Sequence, residues 1–133
     1  MTRQIIPARF APHALGLLRI ATALLFLQHG TAKLFGFPHV AMFDGLKLMS
    51  LLGVGGVLEL VGGILMLLGL FTRPTAFILS GEMAAAYFLF HGQFPGHEQF
   101  WPILNKGELA ALYCFVFLFF CVAGPGKYAI AED

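Results

Sequence analysis

The chain has 133 residues, of which 59% are hydrophobic and only 11% are charged, and its formal net charge at pH 7 is +1. A soluble domain typically carries about 25% charged residues, because water must solvate its surface. The composition therefore excludes an ordinary soluble monomer. The small net charge and the lack of a Lys/Arg cluster argue against a nucleic-acid partner.

Four apolar runs follow one another along the chain and predict four membrane-spanning helices. They cover approximately residues 14–35, 48–71, 74–90 and 107–122. Four spans of about 20 residues each need about 80 residues, which leaves only short connections. We therefore expect an all-α fold, a transmembrane four-helix bundle that forms a single integral membrane domain over residues 1–133.

The first run follows a basic segment, as the hydrophobic part of a signal peptide does. Arg19 interrupts this run, however, and no small-x-small cleavage site follows it. Three further apolar runs come after it. We interpret the first run as a helix that the mature protein retains.

Two helix starts carry recognisable capping signals. Thr72 can cap the third helix, with Pro74 in its first turn, where a missing N–H group is harmless. Asn105 can cap the fourth helix, with Glu108 at the reciprocal position of a capping box. Because only Thr72 and Arg73 separate the second and third runs, these two helices should be antiparallel neighbours.

The distribution of basic residues predicts the orientation in the membrane, since cytoplasmic ends of spans are enriched in Lys and Arg. With the N-terminus inside, five basic residues are cytoplasmic and three are not, which favours two cytoplasmic termini in the inner membrane. The five are Arg3, Arg9, Arg19, Arg73 and Lys127, and the three are Lys33, Lys47 and Lys106.

The first predicted helix carries three basic side chains on one stripe, at steps of three and four residues. Ionisable groups inside a span usually face the protein interior, and they are often functional. We expect Lys33, near the end of the span, to extend to the interface. Arg19 is either a similar anchor or the partner of a buried acid, and His29 is either a functional group or a buried structural histidine.

Two glutamates lie near the middle of the second and third predicted helices. On the face of Glu59, small residues at helical spacing allow a neighbouring backbone to approach closely, and we assign Gly55, Gly62 and Gly63 to helix packing. Glu59 precedes the predicted turn by 13 positions and Glu82 follows it by 10, so both carboxyl groups should lie at similar depth.

These two carboxyl groups need a compensating cation or hydrogen-bond donor, and we expect Arg19 or His29 to supply it. Together, Arg19, His29, Glu59 and Glu82 are the candidates for a ligand or proton site. A buried acid–base network that only fixes helix register is the structural alternative.

The remaining cysteines and histidines give weaker signals. Cys114 and Cys121 lie seven residues apart in one apolar run, too far apart for a disulfide within a helix, and we expect both to pack as small hydrophobic residues. His39, His91 and His97 fall in or beside the outer loops without zinc-like spacing, so the sequence predicts no metal site.

Several short motifs, taken in order, resemble the DoxX family of small bacterial and archaeal membrane proteins. The resemblance covers nearly the whole chain. The matching segments are Leu18-Arg19-Ile20, Gln28-His29-Gly30-Thr31-Ala32-Lys33-Leu34-Phe35-Gly36, Leu58-Glu59-Leu60-Val61-Gly62-Gly63, Leu68-Gly69-Leu70-Phe71-Thr72-Arg73 and Gly124-Pro125-Gly126-Lys127-Tyr128.

The resemblance implies a four-helix transmembrane bundle associated with redox metabolism, since the family is named after a small subunit linked to quinol oxidase and thiosulfate:quinone oxidoreductase activity. The chain has no CxxC pair, which argues against direct thiol exchange. The family motifs map onto Arg19, His29, Gly30, Lys33, Glu59, Gly62, Gly63 and Arg73.

Three hypotheses for function follow. The first is a redox-associated subunit or small oxidoreductase, whose intramembrane polar site binds a quinone-like head group or relays protons, with a membrane or peripheral redox protein as partner. The second is a transporter for protons or a small solute, which would need a homo-oligomer to provide enough room. The third is a structural subunit whose polar cluster only stabilises helix packing.

Overall fold

The computed structural model describes residues 3–91 and 101–133, and these residues form helices and connecting segments without a β-strand. The predicted all-α class is thereby confirmed for the described part of the chain. The helices are α1 (Ala11–Phe35), α2 (Leu51–Leu68), α3 (Thr72–Ala86), α4 (Pro102–Asn105) and α5 (Glu108–Ala123). Short 3-10 turns lie at Ala8–Phe10 and Ala41–Phe43, and a π-helical turn, Tyr87–His91, extends α3.

Two helical segments in the described residues are long and apolar enough to cross a bilayer. They are Ala8–Phe35, where a 3-10 turn continues into α1, and Leu51–Leu68, which is α2. The helix α5 is equally apolar in character but shorter, with 16 residues. The four predicted runs therefore all contain a helix, although α3 and α5 are shorter than a typical span.

The turn between α2 and α3 shows why these helices end where they do. Ser50 caps the start of α2 by accepting a hydrogen bond from the Gly53 N–H at 3.1 Å. Gly69 ends α2 with a φ of +71°, a left-handed conformation that glycine adopts without steric cost. The prediction that Thr72 caps α3 is wrong: Phe71 occupies the cap position, and Thr72 is the first helical residue.

The start of α5 also differs from the prediction. Gly107 precedes the helix without a side-chain capping bond, and Glu108 is the first residue of α5. Asn105 lies one turn earlier, and its Oδ1 atom accepts a hydrogen bond from the Gly107 N–H at 2.7 Å. The expected capping box is therefore absent, because Asn105 ends the short helix α4 instead of starting α5.

Four helices contribute to one buried cluster of apolar side chains. Its centre holds Phe26 of α1, Met66 of α2, Leu79 of α3 and Phe117 of α5. The rings of Phe26 and Phe117 meet edge to face with centroids 4.9 Å apart, which connects α1 to α5. Along their lengths, α1 packs mainly against α2, and α3 packs mainly against α5.

Most other apolar side chains point outwards. Exposed positions recur along every long helix and include Leu24, Leu25, Val61, Phe77, Phe115 and Phe119. An exposed apolar surface of this extent is unfavourable in water but favourable in lipid. The surface therefore supports the membrane location that the composition predicts.

The C-terminal segment that follows α5 folds back over one end of the molecule. The Lys127 N–H donates to the Pro12 carbonyl at 2.9 Å, and the Ile130 N–H donates to the Leu68 carbonyl at 2.9 Å. The start of α1, the α2–α3 turn and this segment thus lie at the same end. The α1–α2 connection lies at the other end.

Candidate functional site

An ion pair connects α1 and α2 in the interior. The Lys33 Nζ atom lies 2.8 Å from Oε1 and 2.7 Å from Oε2 of Glu59, and these side chains are only 12% and 3% exposed. The expectation that Lys33 extends to the interface is therefore wrong, and Lys33 is the cation that compensates Glu59. Neither Arg19 nor His29 takes that role.

Two glycines bring α1 and α2 close enough for this pair to form. A Cβ atom at Gly30 would lie 2.7 Å from the backbone nitrogen of Leu60, which is closer than real Cβ atoms approach other atoms. A Cβ atom at Gly56 would lie 3.0 Å from the Cβ of Lys33. The missing side chains therefore set the helix separation that the Lys33–Glu59 distance requires.

Glu82 of α3 lies beside the same ion pair. A Cβ atom at Gly55 would lie 3.3 Å from Oε1 of Glu82 and 4.0 Å from Nζ of Lys33, so both groups face the same position on α2. The Oε2 atom of Glu82 is buried and has no hydrogen-bond partner among the described residues. One ammonium group is thus surrounded by two carboxyl groups, of which only Glu59 pairs with it.

His29 and Tyr113 extend this polar region towards α5. The two rings are perpendicular, with centroids 6.2 Å apart, and Phe26 packs against both. The Tyr113 hydroxyl group is buried without a hydrogen-bond partner in the described part of the chain. His29 and Lys33 are one helical turn apart on α1, and they lie beside Tyr113 and Glu82, respectively. These four side chains therefore form one polar region.

We call Lys33, Glu59, Glu82, His29 and Tyr113 the intramembrane polar cluster. It contains an ammonium group, two carboxyl groups, an imidazole and a phenol, which together can donate and accept hydrogen bonds and hold a proton. Buried polar atoms are rarely left without partners. The unpartnered oxygens of Glu82 and Tyr113 therefore mark this cluster as a candidate site for a bound group or an exchanging proton.

Arg19, by contrast, does not belong to the cluster. It is fully buried, and it lies about 21 Å from Lys33 along the axis of α1. Its guanidinium donates to the carbonyls of Met66 at 2.9 Å, Lys127 at 3.0 Å and Tyr128 at 2.8 Å, and also to that of Pro125. The alternative in which Arg19 pairs with a buried acid is therefore wrong, since all its partners in the described residues are backbone carbonyls.

The glycines assigned to packing have different surroundings. A Cβ atom at Gly62 would lie 2.7 Å from Cδ2 of Leu79, at the contact of α2 with α3. A Cβ atom at Gly63 would lie 2.8 Å from Cδ2 of Leu27, at the contact of α2 with α1. Gly55 instead leaves space beside Glu82, so its contribution is to the polar cluster as well as to packing.

His39 and His91, two of the histidines in or beside the loops, lie outside the cluster. His39 Nε2 lies 2.9 Å from Oδ1 of Asp44 in the exposed loop between α1 and α2, and Nδ1 of His91 lies 3.3 Å from the Asn105 carbonyl oxygen. His97 lies outside the described residues. No group of three or more His, Cys, Asp or Glu side chains in the described residues is arranged to hold a metal ion.

The cysteines are free thiols, and Cys114 contacts a serine on the neighbouring helix. The Ser80 hydroxyl donates to the Cys114 carbonyl at 2.8 Å, across the contact between α3 and α5. Both cysteine side chains are half-buried and pack against the apolar core. Their environment is the apolar one that the sequence predicts.

Sequence reasoning missed two members of the cluster. Tyr113 lies in an apolar, aromatic-rich run, where its hydroxyl group gave no signal. Lys33 was recognised on the correct stripe, but its place near the end of the run suggested the interface. The glycines at positions 30 and 56 are the signal that could have identified Lys33 as a member of the cluster, because they allow the close approach of α1 to α2.

The fold and this interior polar cluster are those of a small helical membrane protein. Residues 14–92 match the DoxX family, and the chain belongs to that family. An uncharacterized protein of Haemophilus influenzae is 48% identical over 124 residues, covering 92% of this chain and 91% of the relative.

Two further relatives carry membrane descriptions. The inner membrane protein YqjF of Escherichia coli is 29% identical over 119 residues, covering 84% of this chain and 85% of its own. The uncharacterized membrane protein Rv3486 of Mycobacterium tuberculosis is 30% identical over 134 residues, covering 85% of this chain and 76% of its own. No solved structure matches. The predicted DoxX membership is thereby confirmed, and the descriptions of these relatives support a membrane location.

Proposed function

We propose that this protein is a multi-pass, four-helix protein of the inner membrane, with both termini in the cytoplasm, and that it acts as a redox-associated subunit. The name of the Escherichia coli relative supports the inner membrane, and the excess of basic residues at the α2–α3 end supports the orientation. The electrons would come from a membrane or peripheral redox protein partner.

The intramembrane polar cluster is the proposed working site, where a quinone-like head group binds and protons are exchanged. The observation that carries this proposal is the buried, unpartnered Oε2 atom of Glu82 beside the Lys33–Glu59 ion pair. One ammonium group balances one carboxylate in this low-dielectric interior. A proton on Glu82 makes the group electrically neutral, and loss of that proton leaves one net negative charge.

Quinone chemistry needs both features of such a site. The carbonyl oxygens of a quinone accept hydrogen bonds, which the Tyr113 hydroxyl group and the His29 ring can donate. Reduction to the quinol consumes two electrons, which the redox partner would supply, and two protons, which Glu82 beside the ion pair can deliver one at a time if it is reprotonated between the two transfers. An arrangement that only fixed helix packing would not need an unpartnered carboxyl oxygen.

The first test is ligand binding by the full-length protein in lipid nanodiscs. We expect a short-chain ubiquinone or menaquinone analogue to bind saturably, and Glu82→Gln and Tyr113→Phe to weaken that binding by about tenfold each. Glu108→Gln, which changes an exposed glutamate at the start of α5, is the matched control and should bind as the wild type does.

The second test addresses the proton. Infrared difference spectra of the wild type, recorded on addition of the oxidised and reduced analogue, should show a carboxylic acid C=O band that Glu82→Gln removes and Glu108→Gln retains. Binding of neither analogue, together with a clear loss of stability and wild-type partner activity in Glu82→Gln, would contradict the proposal. That combination favours the structural subunit.

A further inference from the structure

An open groove of about 760 Å³ lies at the end of the molecule that carries the C-terminal segment. Its walls are apolar and come from the start of α1, with Leu15 and Leu18, and from the end of α5, with Phe119 and Ala123. Leu18 and Phe119 are 44% and 55% exposed. The groove therefore opens onto the outer apolar surface of the protein, far from the intramembrane polar cluster.

The rim of this groove is charged, with both signs present. Lys127, Arg73, Glu132 and Asp133 all line it. Arg73 is engaged with the C-terminal residue: its Nε atom donates to the Asp133 carbonyl at 2.7 Å, and its backbone N–H donates to the Asp133 carboxylate at 2.7 Å. Lys127 and Glu132 form no ion pair with the described residues, so one cation and one anion remain available.

Hydrogen bonds hold this rim in position. The backbone of Lys127 donates to the Pro12 carbonyl at 2.9 Å and accepts from the buried Arg19 guanidinium at 3.0 Å. A Cβ atom at Gly16 would lie 2.2 Å from the Lys127 carbonyl oxygen, so the segment sits directly against α1. The Lys127 side chain therefore projects from a fixed backbone beside an apolar channel.

We propose that this groove binds one aminophospholipid of the surrounding membrane, of the phosphatidylethanolamine type. An acyl chain lies between α1 and α5 against Leu18 and Phe119. Lys127 pairs with the lipid phosphate, and the Glu132 carboxylate accepts hydrogen bonds from the lipid ammonium group. Lys127 and Glu132 line the same rim and form no ion pair with the described residues, so this cation and anion complement the two charges of the zwitterionic head group, and this complementarity selects the occupant.

The same geometry predicts discrimination among lipids with identical acyl chains. Phosphatidylcholine keeps the phosphate but has no N–H group to donate to Glu132, so it should bind more weakly. Phosphatidylglycerol has the same phosphate for Lys127 but offers no cation to Glu132, so the Glu132 carboxylate stays without a counter-charge. An apolar groove that selected only acyl chains would bind all three equally.

The test is native mass spectrometry of the full-length protein released from detergent micelles containing one of these three lipids. We expect one bound phosphatidylethanolamine, with about tenfold weaker binding of phosphatidylcholine and still weaker binding of phosphatidylglycerol, since a charge-assisted hydrogen bond is lost. Lys127→Gln should weaken both zwitterionic lipids by about tenfold. Glu132→Gln should weaken only phosphatidylethanolamine and abolish its advantage over phosphatidylcholine.

Lys47→Gln is the matched control, because Lys47 is an exposed lysine at the opposite end of the molecule, before α2. It should leave the order and strength of lipid binding unchanged. Equal binding of the three lipids, a preference for phosphatidylglycerol, or wild-type behaviour of both rim variants would each overturn the proposal. None of these readouts depends on the intramembrane polar cluster.

Discussion

The two buried basic residues of α1 have opposite surroundings. Arg19 donates only to neutral backbone carbonyls, four of which close around its guanidinium. Lys33 meets a carboxylate on α2 and lies beside a second carboxyl group on α3 that keeps an unpartnered oxygen. The Arg19 end is therefore a structural connection to the backbone, whereas the Lys33 end retains capacity to bind a proton or a ligand.

The largest loss of stability should come from Arg19→Ala. This change removes four charge-assisted hydrogen bonds and detaches the C-terminal segment from α1, and it should lower the free energy of unfolding by about 4 kcal/mol. Unfolding of the protein by SDS in mixed micelles measures this change in the free energy of unfolding. Arg9→Ala, which alters an exposed arginine, is the control. A loss for Arg19→Ala as small as the control's would refute the structural role.

Glu59→Ala should have the next largest effect. It leaves the Lys33 ammonium group buried without its partner, and we expect a loss of about 2–3 kcal/mol, because Glu82 is close enough to compensate in part. A double-mutant cycle with Lys33→Met measures the coupling between the two residues, which should be about 1–3 kcal/mol. Additive single effects would show that the ion pair is not formed.

Gly30→Ala should destabilise the protein by about 1–2 kcal/mol, because the new Cβ atom meets the backbone of α2 and overpacks the α1–α2 contact. Gly81→Ala is the matched control. A Cβ atom at Gly81 has open space around it within α3, so this change should stabilise the protein by up to about 1 kcal/mol. Equal effects of the two substitutions would contradict the packing of α1 against α2.

Glu82→Gln should have the smallest effect on stability and a large effect on function. The substitution keeps the size of the side chain and replaces a protonated carboxyl group that forms no ion pair with the described residues, so the free energy of unfolding should change by less than about 0.5 kcal/mol. The same unfolding assay measures this effect. A loss in the free energy of unfolding comparable with that of Glu59→Ala would show that Glu82 belongs to the structural network. The contrast between Arg19 and Lys33 would then disappear.

Much of the helical organisation was predictable because bilayer-length apolar runs and Gly/Pro punctuation are local features. Each predicted run contains a helix, and the tight α2–α3 connection was expected. The capping predictions for Thr72 and Asn105 failed because the chain forms a left-handed turn at Phe71 and a separate short helix, α4, before Gly107.

The candidate site was predictable only in part. Glu59 and Glu82 were identified because a carboxyl group in an apolar run is conspicuous, and counting from the turn placed them at similar depth. The partner of Glu59 was not identifiable, because Arg19, His29 and Lys33 share one stripe of α1. Choosing among them requires the axial offset of α1 against α2, which hydropathy does not encode.

The amino-acid sequence by itself determined the location in a membrane, the helical class, the family and the few positions where polar groups face an apolar environment. These follow from composition and short-range spacing. Only the tertiary structure decided that Lys33 pairs with Glu59, that Arg19 holds the C-terminal segment, and that Tyr113 joins the polar cluster. The physical reason is that each of these contacts joins residues distant in sequence, and for Lys33 and Glu59 the helix separation is set by Gly30 and Gly56.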